Sequence, residues 1–477
     1  MEMTGNKCAG CRKKTCTGCY LAGQIHNEKE KNAVFPMDFE PEESTGLGLV
    51  FDVGTTTIAG LLWDLGKKEQ LAAKAIVNPG RFAGSDVISR ISYVRECTEN
   101  RQRMQRILVD KLDEMAGQLL EGIRDEGWKK DRNSKERIKR VVLVGNTVMC
   151  EFLLGVSVEG LARAPFHKAY EGCVGKRGSE LGFSFLKEAR ITVLPAIEGF
   201  VGADALAVHT YIKHKDNQRY ALAVDIGTNG EILLFGDGQD YACSAAAGPA
   251  LEGAAVYQGM GAVTGAIEEI KLAGSFPRED IYCKVIGGAK PKGICGSGLV
   301  DALAVLLKLG VVEANGYLRS ADEARKAGVR EQICRRIVVS EGEKRFLLTN
   351  ADNPVYITPE DIRQLQLAKG AIRAGIEILL QKEKIKKDDI AHLYLAGAFG
   401  SYIKIESAVE IGLLPDIPQE RITHVGNCAG TGALMALLSG KIIEEMEADA
   451  GQIRHIELAK EESFQEYFMQ AMALKRI

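Results

Sequence analysis

The sequence predicts an α/β protein built as two related lobes, preceded by a short cysteine-rich tail. Three observations predict it. First, "GLGLVFDVGTTTIAGLLWDLG" (46–66) and "YALAVDIGTNGEILLFGDG" (220–238) repeat one pattern. Each is an apolar run, then Asp-Val/Ile-Gly-Thr, then a second apolar run. A strand rich in β-branched residues ending in a tight Gly turn, with a second strand returning, is a hairpin. Two copies indicate an internal duplication. Second, "RVVLVGN" (140–146) and "HLYLAGAFG" (392–400) are nearly continuously apolar, as expected of central strands covered on both faces. Third, Gly is in excess at 52 of 477 residues and gathers at the ends of apolar runs, where a backbone turns sharply or approaches a ligand closely.

Composition excludes several classes of function. The chain is 46% hydrophobic and 26% charged with a net charge of -3, which gives no electrostatic case for binding nucleic acid or an anionic membrane. No apolar run approaches the roughly 20 residues a membrane helix requires. The N-terminus carries cysteines where a secretory signal would carry an apolar core. The expected location is therefore the cytoplasm, where disulfides rarely persist. Cys97, Cys150, Cys173, Cys243, Cys283, Cys295, Cys334 and Cys428 are scattered singly and read as small packing residues.

Along the chain, residues 1–20 form the cysteine tail and 21–45, polar with two prolines, a linker. Residues 46–215 make the first lobe, 216–445 the second and 446–477 a C-terminal extension. The charged stretch 97–140 predicts one or two surface helices on the first lobe. The clearest helix is "ITPEDIRQLQLAKGAIRAGIEILLQK". Thr358 is its N-cap, Pro359 takes the first helical position, and acids follow in the first turn. Ile362, Leu365, Ile372, Ile376 and Leu379 recur at helical spacing.

The two hairpins predict a phosphate clamp. Backbone N–H groups of a tight Gly turn point at phosphate oxygens, and Thr hydroxyls add donors. An Asp before such a turn suits Mg2+, which takes few carboxylates and keeps waters. A single Asp-x-Gly-Thr is a common turn; two, each after a buried-type strand, make a cleft that grips a polyphosphate from both sides. No G-x-x-x-x-G-K-[ST] occurs, and "GMGAVTG" lacks the dinucleotide spacing. Further glycine loops end apparent strands at "VGNTVM", "ICGSGLVDAL", "AGAFGSYI" and "VGNCAGTGA". Together they suggest a nucleotide cleft.

The hairpins and "LYLAGAFG" resemble the phosphate and adenosine motifs of the superfamily joining acetate and sugar kinases, heat-shock chaperones and actin. A more specific resemblance rests on ten motifs in order: "FDVGTTTIAGLLWDL", "NPGRFAGSDVISRI", "VVLVGNTVM", "EGFVGADALA", "AVDIGTNGEILL", "CSAAAGPALEGA", "ICGSGLVDAL", "LQLAKGAIRAGI", "LAGAFGSYI" and "GNCAGTGALMALL". Across residues 46 to 440 the chain resembles the reductive activators of corrinoid proteins. The resemblance implies a duplicated two-lobed, actin-like (ribonuclease H-like) ATPase fold. It implies ATP hydrolysis that drives reduction of a corrinoid methyltransfer protein from Co(II) to Co(I), in anaerobic metabolism. The electrons would pass through an iron–sulfur centre from an upstream donor such as a ferredoxin. Lobes of the superfamily often pair, and the sequence leaves monomer and homodimer both open.

Carried over by residue, Asp52, Gly54, Thr55 and Thr56 would form the first phosphate loop. Asp225, Gly227, Thr228, Asn229 and Gly230 would form the second, and Gly397 and Gly400 would face the adenosine. The resemblance makes Asp52 and Asp225 candidates for Mg2+ or its waters. Asp204 and Glu231 are candidates for orienting the attacking water, although Asp204 after a glycine turn also reads as a helix cap.

The N-terminus departs from the family pattern, in which a plant-type ferredoxin domain or ferredoxin-like cysteines accompany the ATPase. Here Cys8, Cys11, Cys16 and Cys19 spell C-x2-C-x4-C-x2-C within a short tail, with Arg12, Lys13 and Lys14 between the pairs. Four thiolates this close suit one cluster, [4Fe–4S] before other types. Structural zinc and redox-active thiols remain open readings, although zinc ribbons usually separate their pairs by roughly 15–20 residues. Three other functions compete with reductive activation. They are a small-molecule kinase, a nucleotide-switched binding protein with a zinc tail, and an ATP-driven donor to another low-potential enzyme.

Overall fold

The two hairpins open two sheets of the same design. The computed structural model describes residues 35, 36, 38–123, 138–216, 219–274, 280–400 and 402–477; the four tail cysteines lie outside them. Strands β1 (Leu47–Val53), β2 (Thr57–Asp64) and β3 (Glu69–Val77) form an antiparallel meander. β4 (Ile138–Gly145) and β6 (Arg190–Val193) add in parallel on the other side of β1, and β5 (Val174–Arg177) closes the edge, giving the order β3-β2-β1-β4-β6-β5.

In the second lobe β7 (Ala221–Ile226), β8 (Gly230–Phe235) and β9 (Tyr241–Ala245) repeat the meander. Two small three-stranded sheets follow, β10 (Ala266–Ala273) with β11 (Asp280–Val285) and β12 (Gly293–Ile294), and β13 (Ile337–Ser340) with β14 (Glu343–Leu347) and β15 (Tyr356–Ile357). β16 (His392–Ala396) and β17 (Ile422–Gly426) then extend the main sheet in parallel from β7, and β18 (Arg454–His455) pairs with β9. Meander plus two parallel strands recurs in both lobes, so the duplication extends from motif to topology. This is the actin-like two-lobed α/β fold. Among the described residues no helix is long and apolar enough to cross a membrane.

Helices cover the sheets: α1 (Val87–Glu96), α2 (Thr98–Glu121), α3 (Thr147–Leu154) and α4 (Ala203–Lys215) in the first half, α5 (Gly296–Lys308), α6 (Pro359–Glu383), α7 (Cys428–Leu438) and α8 (Gly440–Gln452) in the second. α6 starts as its sequence predicts. Thr358 Oγ1 accepts from Asp361 N at 3.1 Å, and Asp361 Oδ2 accepts from Thr358 N at 2.8 Å, a reciprocal cap that satisfies both orphan donors. Among the described residues of the charged stretch from 97, Thr98–Glu121 form the helix α2, and residues 138–140 belong to β4.

Two features depart from the linear reading. The end of the expected linker is docked: Phe39 is buried, Phe35 stacks edge-on against Trp63 at 5.9 Å, and Glu42 Oε1 caps α8 by accepting from Gly440 N at 2.8 Å. Two phenylalanines in a polar stretch suffice to anchor it. In addition, α7 lies beyond the second hairpin yet packs on β1, β4 and α4, inside the first lobe's core.

Glycines make the α7 crossing possible. A Cβ on Gly48 of β1 would stand 2.7 Å from Leu437 Cδ2, and one on Gly432 of α7 would stand 2.1 Å from the Ala207 carbonyl oxygen. The Ala207 oxygen is backbone and cannot swing away. Gly432→Ala is therefore expected to destabilise the protein by about 1–3 kcal/mol, as overpacking typically does. A urea midpoint equal to that of the unsubstituted chain would contradict this packing.

Candidate functional site

Asp52 and Asp225 occupy equivalent places. Asp52 is the penultimate residue of β1, paired with Ala59 of β2 and Val144 of β4. Asp225 is the penultimate residue of β7, paired with Glu231 of β8 and Ala396 of β16. Each strand delivers its carboxylate, then the chain turns, so both reach one cavity of ≈ 360 Å³ between the lobes. The turns Gly54–Thr57 and Gly227–Asn229 line it. Gly227 N donates to Asn229 O at 2.9 Å, which closes the second turn.

Asparagines fix the first turn. Asn78 Nδ2 donates to Gly54 O at 2.7 Å, and Asn146 Nδ2 donates to Thr55 Oγ1 at 2.9 Å. Asn146 also caps α3, its Oδ1 accepting from Met149 N at 3.0 Å. Asn427 caps α7 by accepting from Gly430 N at 2.8 Å, and its side chain hydrogen-bonds Asp52. The first turns of α4 (Asp204), α5 (Gly296, Ser297) and α7 (Ala429) all border the cavity. Helix N-termini carry partial positive charge and unpaired N–H groups, so three of them converging favour an anion.

Charge is concentrated here. Asp52, Asp204, Asp225, Glu231 and Glu252 line the cavity, and its lining includes no Lys, Arg or His among the described residues. Burial, with the Asp204 charge next, pushes Asp52 up to about 7. Burial, Asp204 and Asp52 push Asp225 up to about 7. Burial raises Asp204 to about 6, opposed by the N–H of Ala205 donating to Oδ1 at 2.8 Å. Glu231 is raised well above the usual carboxylate range by burial, Asp204 and Asp225. Crowded like charges of this kind call for a counter-cation. No group of three or more His, Cys, Asp or Glu among the described residues is arranged to hold a metal directly. Asp52 and Asp225, one carboxylate from each turn, suit a cation held through retained water, which is the habit of Mg2+.

Of the residues singled out in the sequence, Asp52, Gly54, Thr55, Thr56, Asp204, Asp225, Gly227, Thr228, Asn229, Glu231 and Gly397 line this cavity. Gly397 has φ +78, and a Cβ there would stand 2.1 Å from Asp225 Oδ1, so the glycine lets the chain pass beside the carboxylate. Gly230 and Gly400 are not in the lining. A Cβ on Gly230 would meet Ile372 of α6 at 2.7 Å, and Gly400 packs on Leu395 while its carbonyl accepts from His424 Nδ1. Their glycines serve packing. Sequence reasoning did not single out Asn78, Asn146, Asn427, Glu252, Phe399 or Tyr402. The two Gly-Asn pairs, in "VGNTVM" and "VGNCAGTGA", carried a signal for two of them.

The raised carboxyls set a pH dependence. Each keeps its proton in the folded state to higher pH than in the unfolded chain, so their contribution to stability is full below about pH 4 and falls as pH rises to about 7. Asp225→Asn should flatten this slope and raise the thermal midpoint of the nucleotide-free protein at pH 8. An equal or lower midpoint at pH 8 would argue against the crowding.

Comparison with known proteins identifies the family. Residues 219–477 match the family model described as the C-terminal domain of RACo, the ASKHA domain, and residues 47–216 match the RACo middle region. The chain is 34% identical over 442 residues to the corrinoid activation enzyme RamQ of Eubacterium limosum, covering 91% of this chain and 72% of the relative. It is 26% identical over 454 residues to the [Co(II) methylated amine-specific corrinoid protein] reductase of Methanosarcina barkeri, covering 88% and 76%. A solved structure described as a reductive activator for corrinoid, iron-sulfur protein superposes with a TM-score of 0.76 at 30% identity, over 91% of this chain and 67% of that one. The chain belongs to the family of reductive activators of corrinoid proteins.

Proposed function

We propose that this chain uses ATP to return a corrinoid methyltransfer protein from Co(II) to Co(I), with electrons entering through its N-terminal cysteine tail. The observation that supports it most is the pair of equivalent Asp-Gly-Thr turns meeting at one cavity that three helix N-termini border. The relatives' names supply the corrinoid partner. The acceptor is low in potential, so the electron must be driven, and nucleotide turnover between two lobes supplies that drive.

In this reading the turn N–H groups and the hydroxyls of Thr55, Thr56 and Thr228 bind the phosphates. Asp52 and Asp225 hold the waters of a Mg2+, which when bound would neutralise phosphoryl oxygens as in other phosphoryl transfers. Asp204 and Glu231 orient the attacking water, and Asp204, raised to about 6, takes up its proton. Gly397, beside Asp225, leaves room for the nucleotide.

Cys8, Cys11, Cys16 and Cys19 would hold one iron–sulfur cluster that supplies a one-electron path from a donor such as a ferredoxin. The support is their spacing, C-x2-C-x4-C-x2-C.

Asp225→Ala should abolish ATP hydrolysis while the far-ultraviolet circular dichroism stays native; unchanged turnover would remove Asp225 from the site. Protein purified without oxygen should carry about four irons and four acid-labile sulfides per chain. Both should disappear when Cys11 and Cys16 are replaced by Ser, with basal hydrolysis retained and the Co(II) resonance of the partner left undiminished. One zinc and no sulfide would overturn the electron path and leave the ATPase reading standing.

A further inference from the structure

Glu252 has no part in the hydrolysis scheme above, yet it holds a central place in the cleft. It ends the short turn Pro249–Glu252, and Gly253 behind it, at φ +80, returns its N–H to Ala250 O at 3.0 Å. That turn aims the Glu252 side chain at both phosphate turns. Its Oε2 accepts from Thr228 Oγ1 at 2.8 Å and from Thr56 Oγ1 at 3.0 Å. Thr228 belongs to the second lobe and Thr56 to the first. One oxygen thus ties the lobes together across the cleft.

The chemistry of this contact resembles that of a phosphate oxygen: an anionic oxygen held by two hydroxyls beside glycine turns. The Oε1 atom lies 3.9 Å from the place of a Cβ on Gly227. Burial raises the Glu252 carboxyl on balance, and the hydroxyls of Thr228 and Thr56 offset part of that rise by bonding its charged form. The lining offers no basic side chain to compensate it among the described residues. A polyphosphate entering the cavity needs the same donors and repels the same carboxylate.

We propose that Glu252 is a built-in occupant of the phosphate site, a positioning residue that bridges Thr56 and Thr228 and is displaced by the phosphates of ATP. Displacement severs the cross-cleft tie and so couples nucleotide arrival to lobe movement. The inference rests on the reading of the cleft as an ATP site and adds the device by which the site senses its ligand.

The test titrates the full-length protein with the β,γ-imido analogue of ATP and Mg2+, comparing the unsubstituted chain, Glu252→Ala and Glu252→Gln by calorimetry. Loss of the competing carboxylate should tighten binding about tenfold in Glu252→Ala, equivalent to about 1.4 kcal/mol. Glu252→Gln, which keeps an acceptor but not the charge, should bind several-fold tighter. Without nucleotide, amide exchange at residues 54–57 should quicken in Glu252→Ala. A merely structural role would weaken binding instead. Unchanged or weaker affinity in the folded variants overturns the proposal, and Glu252→Gln alone decides it should Glu252→Ala fail to fold. An unsubstituted chain that binds no analogue overturns the ATP reading together with this inference.

Discussion

The structure depends on bringing like charges together. Asp52, Asp204, Asp225 and Glu231 enter one cavity from two sheets and a helix; burial raises all four, and neighbouring carboxylates raise Asp52, Asp225 and Glu231 further. Such an arrangement costs stability in the free protein and is tolerated where a cation and a polyphosphate complete it. The surroundings limit the cost. Helix N-termini border the cavity, Asn427 donates to Asp52, and the N–H of Ala205 meets Asp204. These contacts offset part of the repulsion among the carboxylates.

The same constraint explains the rest of the fold. Carboxylates at equivalent strand ends need two equivalent sheets, which the duplicated meander provides. Holding the sheets in register across the cleft needs elements that belong to both. α7 leaves β17 in the second sheet and packs in the first lobe's core, and Asn427 at its start bonds Asp52. Glu252 ties the two turns directly. α7 and Glu252 are both joints of this kind, one through packing and one through hydrogen bonds.

Local features were legible in the sequence. The hairpins announced themselves because strand, Asp and Gly-Thr turn are contiguous, and α6 did so through Thr358, Pro359 and its apolar spacing. Contacts between distant segments were not. Thr56 and Glu252 lie 196 positions apart, and "GPALEG" alone does not reveal that its acid reaches another lobe. Gly230 and Gly400 show a second limit. A glycine demanded by a passing helix and one demanded by a ligand read alike, and only the neighbours, Ile372 or Leu395 against the carboxylate of Asp225, separate them. The docking of Phe35 and Phe39 was masked by the polar residues around them.

The central claim is that ATP turnover in this cleft drives the reduction of cobalt. The most direct measurement follows Co(I) formation on a Co(II) corrinoid protein by its visible absorption, with a low-potential reductant and this protein present, while phosphate release is counted in parallel. The account predicts Co(I) only when ATP is hydrolysed, in a constant ratio to phosphate, and none with the β,γ-imido analogue. Equal Co(I) with and without ATP, or steady hydrolysis with no Co(I), would contradict it.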